Sequence, residues 1–243
     1  MKFYEILEKH YDEVFPFQKD TYNFIKEGLT FGDKVLDVAC GTGSYTIELK
    51  KDGYNACGLD LSESMIYRAE EKAQREGVQV DFVVSSMLDI DLVHEGNLRR
   101  LFVIGNSLVH LKSLQEVKDF FTSAYDLLSP EGDLMIQILN YDRILKEDIQ
   151  RLPTIEVPEK GLVFQRLYRH DLESNTIEFS SKIQTAEILE EASVFLLPLK
   201  KEDLQDALMH AGFQEIHFYG SFTKEPYTEE AIPLILVAKK KIT

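Results

Sequence analysis

The stretch VLDVACGTGSYTIELKKDGYNACGLDLSESM, residues Val35–Met65, constrains the fold more than any other part of this chain of 243 residues. A short apolar strand leads into two close glycines, Gly41 and Gly43, and a second apolar strand ends in Asp60. Such glycines permit a tight turn and the close approach of a ligand, and the helix that follows offers free N–H groups. The stretch therefore predicts a βαβ unit that binds a nucleotide-like ligand at the carboxyl ends of its strands.

The rest of the chain extends this pattern. Apolar strands alternate with helical segments up to Asn140, which predicts a parallel sheet with helices on both faces. Beyond it, polar and apolar residues alternate about a turn near Ser174, as in an antiparallel hairpin. The last two strands have no helix between them and must pair antiparallel.

We therefore expect an α/β, doubly wound, mostly parallel sheet of seven strands with a C-terminal antiparallel strand pair. Residues 1–150, with N-terminal helices, and residues 199–243 would form this core. Residues 151–198 would form a small antiparallel β insertion on the substrate side.

Composition narrows the range of partners. The chain has 42 acidic against 27 basic residues and a formal net charge of −15, so it repels phosphate backbones and anionic membranes. We expect a small-molecule partner, with no nucleic acid and no membrane, and a monomer or homodimer. Two cysteines cannot form a disulfide framework, and no apolar run approaches the ~18 residues of a membrane span. A cytoplasmic location follows as the expectation. No His, Cys and Asp cluster has metal-ligand spacing, which predicts no metal.

Three kinds of ligand are compatible with a glycine loop of this type. A phosphate-binding loop for nucleoside triphosphates needs a lysine after its glycines, which is missing here. A dinucleotide fingerprint needs a third glycine, and Thr46 occupies that position. Asp37 at the end of the first strand suits a ligand with a cationic portion, or it braces the amides of the loop. Asp60 can accept two hydrogen bonds from a ribose diol, or it can cap the next helix.

VLDVACGTG followed by GLDLSESM resembles motifs I and II of the class I S-adenosylmethionine-dependent methyltransferases, which have a Rossmann-like fold. The resemblance implies S-adenosyl-L-methionine as cofactor, with Gly41 and Gly43 beneath its methionine and ribose portions. Asp60 would hold the ribose hydroxyls, and Met65 would pack on the adenine. Ala39 stands where the family has its first glycine. The cofactor-binding residues predicted in this way are Tyr11, Asp37, Ala39, Gly41, Gly43, Asp60, Leu61, Met65, Ser86, Met87 and Asn106.

Two positions depart from the family pattern. An acid commonly follows the third strand and contacts the adenine amino group, and here Ser86 occupies that place, with Asp89 as the nearest carboxylate. We expect Ser86 and Met87 to line the adenine instead. Near the start of the fourth strand, where the family usually carries an acid, this chain has Arg99.

The substrate side resembles the glycine/sarcosine-type N-methyltransferases through GNSLVHL, residues 105–111, and LNYDRIL, residues 139–145. The resemblance makes Asn106 and His110 candidate catalytic residues, with His110 as the first candidate for a general base. Asn140 and Arg166 become candidate substrate-binding residues. Tyr11 would place its ring near the cofactor cation.

Four of these residues also have a purely structural alternative. Asn106 could cap a turn, His110 could be a packed histidine, and Arg166 could be an exposed strand residue. Tyr11 could belong to the core.

One difference disfavours glycine as the acceptor. The related enzymes hold the acceptor carboxylate with an arginine before a late helix, where this chain has Phe195, Leu196 and Leu197. We expect an apolar wall there, which cannot neutralise a carboxylate. The function predicted from the sequence is N- or O-methylation of a small molecule by in-line transfer. The alternatives are an NAD(P)-dependent Rossmann oxidoreductase and a catalytically silent nucleoside-binding protein.

Overall fold

A computed structural model describes residues 7–171 and 175–241. The predicted turn at Ser174 lies outside these residues. The described helices are α1 (Tyr11–Val14), α2 (Lys19–Lys26), α3 (Ser44–Lys51), α4 (Glu63–Arg75), α5 (Ile90–Val93), α6 (Leu114–Leu127), α7 (Tyr141–Lys146) and α8 (Lys201–Ala211). The described strands are β1 (Lys34–Val38), β2 (Asn55–Asp60), β3 (Asp81–Val84), β4 (Leu98–Val103), β5 (Leu128–Leu139), β6 (Arg151–Val157), β7 (Leu162–Asp171), β8 (Thr176–Gln184), β9 (Leu189–Leu196), β10 (Glu215–Tyr219) and β11 (Pro233–Lys239).

Seven strands form the main sheet in the order β10-β11-β5-β4-β1-β2-β3. Neighbours among β1 to β5 pair in parallel, and β11 runs antiparallel to both β5 and β10. The order reverses at β1, from which the chain builds outward to β2 and β3 and then crosses to β4 and β5. Such a reversal leaves a crevice at the carboxyl ends of β1 and β4, the place where open α/β sheets bind ligands. The predicted seven-stranded α/β fold is confirmed.

Burial explains why the central strands form. Four consecutive residues of β1 are buried, because a strand in the middle of a parallel sheet has helices over both faces. In β4, Leu98 and residues 101–103 are fully enclosed. Helix α6 packs Phe120 and Phe121 against this centre. The apolar runs of the sequence are therefore the core, and the loops at their carboxyl ends are free to carry polar chemistry.

A second sheet has the order β6-β7-β8-β9, with each strand antiparallel to the next. Its sequence alternates because one face packs towards the main sheet and the other meets solvent. In β7, Phe164 and Tyr168 are buried, whereas Arg169, the next residue, is exposed. This sheet spans the segment expected to be an insertion. The division of the chain into a core and an insertion remains our proposal.

No helix in the ranges 7–171 and 175–241 is both long enough and apolar enough to cross a membrane.

Candidate functional site

Three cavities meet at Ala39, the residue that follows β1. The Asp37 cavity has a volume of about 340 Å³, the central cavity about 640 Å³ and the Ser86 cavity about 410 Å³, and Ala39 lines all three. Small-molecule sites commonly have volumes of about 300–1,000 Å³. The predicted loop therefore lies at the junction of one branched crevice.

The central cavity lies between the loops of the main sheet and the inner face of the second sheet. Its lining on the first side includes Tyr11, Gly41, Asp60, Leu61, Ser62, Met65, Gly105, Asn106 and His110. Its lining on the second side includes Leu152, Phe164, Arg166, Tyr168, Phe179, Ser181, Ala192, Val194 and Leu196.

Asp60 is fastened at the end of β2 by backbone amides. Its Oδ2 accepts a hydrogen bond from the Gly41 amide at 2.8 Å and its Oδ1 accepts one from the Ser62 amide at 2.9 Å. A carboxylate has about four acceptor positions, so both oxygens can still accept hydroxyl groups from the cavity. Burial raises the pKa of Asp60, although these amide bonds oppose the rise. The structure thus places an anchored carboxylate with spare acceptor capacity beside the crevice.

Asp37 is almost fully buried beneath the Asp37 cavity. The Thr46 hydroxyl donates to its Oδ2 at 2.6 Å. Burial raises the pKa of Asp37 to about 7; the Thr46 hydrogen bond opposes the rise, and the nearby Asp60 carboxylate adds to it. Two carboxylates at one crevice favour a cationic ligand over a pyrophosphate, as the position of Asp37 at the end of its strand predicts.

Tyr11 lies against the glycine loop. Its ring lines both the Asp37 and central cavities and lies 3.2 Å from the position that a Cβ of Gly41 would occupy. The neighbouring Asp12 forms an ion pair with Lys72 at 2.6 Å and accepts from the Thr42 hydroxyl at 2.5 Å. These contacts hold α1 against the loop. Burial raises the pKa of Tyr11, so the phenol stays neutral.

The two glycines of the loop have different surroundings. Gly41 lines the central cavity at a φ of +55°. Gly43 precedes α3 at a φ of +72°, where an added Cβ would lie 2.5 Å from Phe82 and 3.0 Å from Ala69. Gly43 does not line any of the three cavities. Close packing and a left-handed backbone account for glycine there, and its place beneath the cofactor stays a prediction.

Ala39 has a left-handed backbone as well, with a φ of +60°. Glycine suits this conformation better than any residue with a Cβ. The replacement of the family's first glycine by Ala39 therefore affects the backbone conformation as well as the size of the side chain.

The remaining predicted cofactor residues divide between two branches. Ser86 and Met87 line the Ser86 cavity, Leu61 lines both this cavity and the central one, and Met65 lines the central cavity. The Ser86 hydroxyl accepts from the Leu88 amide at 3.1 Å and caps a short 3-10 turn. Asp89, the nearest carboxylate in the sequence, does not line the Ser86 cavity.

Asn106 and His110 follow β4, and both line the central cavity. Asn106 has a φ of +66°, and its side-chain oxygen accepts from the Leu139 amide at 2.9 Å while its nitrogen donates to the Tyr141 hydroxyl at 3.1 Å. His110 lines both the central and the Ser86 cavities. Loss of water around the imidazole lowers its pKa below the usual value, so the ring is neutral near pH 7 and able to accept a proton.

The structure does not bring Asn140 to the crevice. Its side chain is buried outside the lining of the three cavities, where its nitrogen donates to the Glu229 and Ala231 carbonyls at 3.1 and 2.9 Å. Its oxygen caps α7 by accepting from the Arg143 amide at 3.3 Å. The predicted substrate-binding residue therefore holds the loop before β11 against the sheet, because its amide is already used by the protein.

The predicted apolar wall at residues 195–197 is present only in part. Leu196 is buried and lines the central cavity, but Phe195 is 63% exposed, because successive strand residues face opposite sides of the sheet. Arg166, for which an exposed strand position was the alternative, lines the central cavity and is not exposed.

Several residues of the crevice were not predicted. Gly105 lines two of the cavities at a φ of +74° with open space beside it. Its position next to Asn106 in GNSLVHL is the feature of the sequence that could have predicted it as a site residue. Tyr168 and Ser181 of the second sheet, and Glu8 of the N-terminal segment, also line the central cavity. No local pattern marks these three, because only the packing of the second sheet and of the N-terminal segment brings them to the loop.

The chain is similar in sequence to known methyltransferases. A family model described as a methyltransferase domain matches residues 35–132, which include the glycine loop and Asp60. A glycine/sarcosine N-methyltransferase of Aphanothece halophytica is 29% identical over 222 residues, covering 89% of this chain and 80% of that protein.

Two solved structures share the fold. An S-adenosylmethionine-dependent methyltransferase of Clostridium acetobutylicum superposes with a TM-score of 0.81 at 17% identity, over 99% of this chain and 98% of that one. The CcbJ methyltransferase of Streptomyces caelestis superposes with a TM-score of 0.80 at 21% identity, over 97% and 96% of the two chains. Both alignments extend through the second sheet, so the whole architecture has counterparts.

Proposed function

We propose that this chain is a class I S-adenosylmethionine-dependent methyltransferase and that it transfers a methyl group to a nitrogen or oxygen atom of a small molecule bound in the central cavity. S-adenosylmethionine is the cofactor of this family. Support for a small acceptor comes from the relative named as a glycine/sarcosine N-methyltransferase and from a cavity of about 640 Å³, which lies within the range of small-molecule sites. The family does not favour the oxidoreductase or the silent binding protein.

The observation that carries the proposal is the carboxylate of Asp60, anchored by two amides beside the junction of the cavities and still able to accept the ribose hydroxyls. Asp37 and Tyr11 would flank the cationic portion of the cofactor from the Asp37 cavity. Ser86 and Met87 would hold the adenine in the Ser86 cavity, together with Leu61. The residues present therefore fit S-adenosylmethionine in shape and in charge.

When bound, S-adenosylmethionine supplies a methyl group to the acceptor's lone pair by in-line displacement, with the electrons of the broken carbon–sulfur bond returning to sulfur. Tyr11 and the second sheet would exclude water from the place of transfer. Asn106, held by Leu139 and Tyr141, would orient the acceptor. His110 would take the proton that leaves the acceptor nitrogen or oxygen.

The test compares the affinities of S-adenosylhomocysteine and NAD for the protein by isothermal titration calorimetry. We expect S-adenosylhomocysteine to bind and NAD not to bind. Asp60→Ala should weaken binding by about 100-fold, because charge-assisted hydrogen bonds contribute roughly 3 kcal/mol together. Asp60→Asn keeps one acceptor oxygen, so its affinity for S-adenosylhomocysteine should lie between those of the parent protein and Asp60→Ala. Asp81→Ala, at the exposed start of β3, is the control. Binding of NAD in preference to S-adenosylhomocysteine would overturn the proposal.

A further inference from the structure

The inner face of the second sheet carries Arg166, Ser181 and the phenol of Tyr168 on an otherwise largely apolar surface. In the strand register, Arg166 of β7 lies opposite Leu152 of β6 and Ser181 of β8, and Ser181 lies opposite Ala192 of β9. All four residues line the central cavity. Because serine and alanine are small, they leave space beside the guanidinium of Arg166. The larger apolar residues that line the cavity from the same sheet are Phe164, Phe179, Val194 and Leu196.

The guanidinium of Arg166 has donors that the described residues do not use. Of its five N–H donors, one on Nη2 donates to the Pro153 carbonyl at 2.8 Å, and the buried Nε has no hydrogen-bond partner within residues 7–171 and 175–241. Among the described residues, no carboxylate forms an ion pair with Arg166. By contrast, Arg100 uses its Nε and Nη2 to hold both oxygens of Asp133, at 2.5 and 2.7 Å. Arg166 offers the same donor group without the carboxylate.

The energetic cost of this arrangement points to a ligand. A charged group taken from water without a counter-ion is unfavourable for stability, and burial lowers the pKa of Arg166 accordingly. Arg169 lies three residues further along β7, on the opposite face of the strand, where it is exposed and forms an ion pair with Glu178. The same strand thus carries a paired arginine towards solvent and, as far as the described residues extend, an arginine without an ion pair towards the cavity.

We propose that the methyl acceptor carries a carboxylate, and that Arg166 binds this carboxylate with Ser181 beside it; this rests on the proposed function. Arg166 is the only lysine or arginine among the described residues that line the central cavity. Glu8 and Asp60 line the same cavity and would repel an anion that met no cation. One guanidinium matches the single charge and the two oxygens of a carboxylate, whereas a phosphate dianion would meet too little positive charge.

The experiment uses phenylacetate and its neutral isostere phenylacetamide as probes, since the Phe164 and Phe179 side chains offer an apolar surface for a ring. Binding of each probe to the protein saturated with S-adenosylhomocysteine is measured by calorimetry, and the ¹⁵Nε–H signal of Arg166 is followed by NMR. We expect phenylacetate to bind at least about 10-fold more tightly than phenylacetamide and to shift the Arg166 signal.

Two variants of the same strand separate this role from a general effect of charge. Arg166→Met should abolish the preference for the acid and leave the affinity for S-adenosylhomocysteine unchanged. Arg169→Met, on the exposed face, is the matched control and should keep the preference. Methionine is uncharged and similar in length, so Arg166→Met should be at least as stable to thermal unfolding as the parent protein without ligand.

Several outcomes would overturn the inference: equal binding of the acid and the amide, no binding of phenylacetate, a preference that survives in Arg166→Met, or a preference for inorganic phosphate over phenylacetate. A loss of S-adenosylhomocysteine affinity in Arg166→Met would also overturn it, because the guanidinium would then hold the carboxylate of the cofactor. Failure of S-adenosylhomocysteine to bind the parent protein would instead overturn the proposed function.

Discussion

The two walls of the crevice differ in how their polar groups are satisfied. On the main-sheet side, the carboxylates of Asp37 and Asp60 already accept hydrogen bonds from the protein, so they are held in place before any ligand arrives. On the second-sheet side, Nε of Arg166 has no hydrogen-bond partner in the part of the chain that the structure describes. The main-sheet wall is therefore organised by its own hydrogen bonds, whereas the second-sheet wall keeps a donor for the molecule that it would recognise.

The largest expected effect comes from Gly43→Ala beside the main-sheet wall. The new Cβ would meet Phe82 at 2.5 Å with the backbone at a φ of +72°, so overpacking and strain should together lower the free energy of unfolding by about 4 kcal/mol. Gly161→Ala, in the turn between β6 and β7, has a φ of +58° and open space, and should cost only about 1–2 kcal/mol. Urea denaturation measures both. Equal losses would show that the two regions are packed alike.

The second prediction concerns pH. The pKa of Asp37 is about 7 in the folded protein, against about 3.9 for an unfolded chain. The folded state therefore holds its proton more tightly, and the free energy of unfolding should fall as pH rises from about 4 to 7. Relative to Asp37→Asn, the parent protein should lose roughly 3 kcal/mol over this range. Thr46→Val removes the hydroxyl that favours the charged form and should make the loss larger. Parallel pH curves for the parent and Asp37→Asn would contradict the prediction.

His110, at the border of the two walls, gives the third prediction. His110→Ala should lower kcat by about 100-fold and remove the acidic limb of the pH–rate profile, because no neutral imidazole would remain to accept the acceptor's proton. The control is His94→Ala, since Nδ1 of His94 accepts from the Gly96 amide and the residue does not line the three cavities. An unchanged rate over about pH 6 to 9 would exclude His110 as the base.

The smallest effect is expected for Ala39→Gly, at the junction of the three cavities. The backbone at this position is left-handed, with a φ of +60°, and glycine adopts this conformation without strain. Relief of the strain should raise the free energy of unfolding by about 1 kcal/mol, and the greater conformational entropy of glycine in the unfolded chain should offset part of this gain. Chemical denaturation measures the change. A loss of stability would show that the methyl group of Ala39 contributes packing that outweighs the strain.

Prediction from the sequence succeeded where the signal was local. The buried strands of the main sheet are continuous apolar runs, and the glycine loop with Asp60 has a recognisable spacing. The sequence was less informative where the same residue type can either contact a ligand or support the fold. Gly43 and Asn140 were predicted from the sequence to contact ligands, and the structure shows that Gly43 packs close to Phe82 and that Asn140 caps α7. The spacing of residues along the chain cannot distinguish these uses.

The sequence by itself determined the α/β sheet, the place of the crevice at the end of β1 and the similarity to methyltransferases, because strand periodicity and a glycine turn are properties of neighbouring residues. Only the tertiary structure decided which side chains face one another across the crevice. The placing of Arg166 opposite Ser181, and their approach to Gly41, depend on strand register and on the docking of one sheet against another. These residues are far apart along the chain, and no short pattern encodes their meeting.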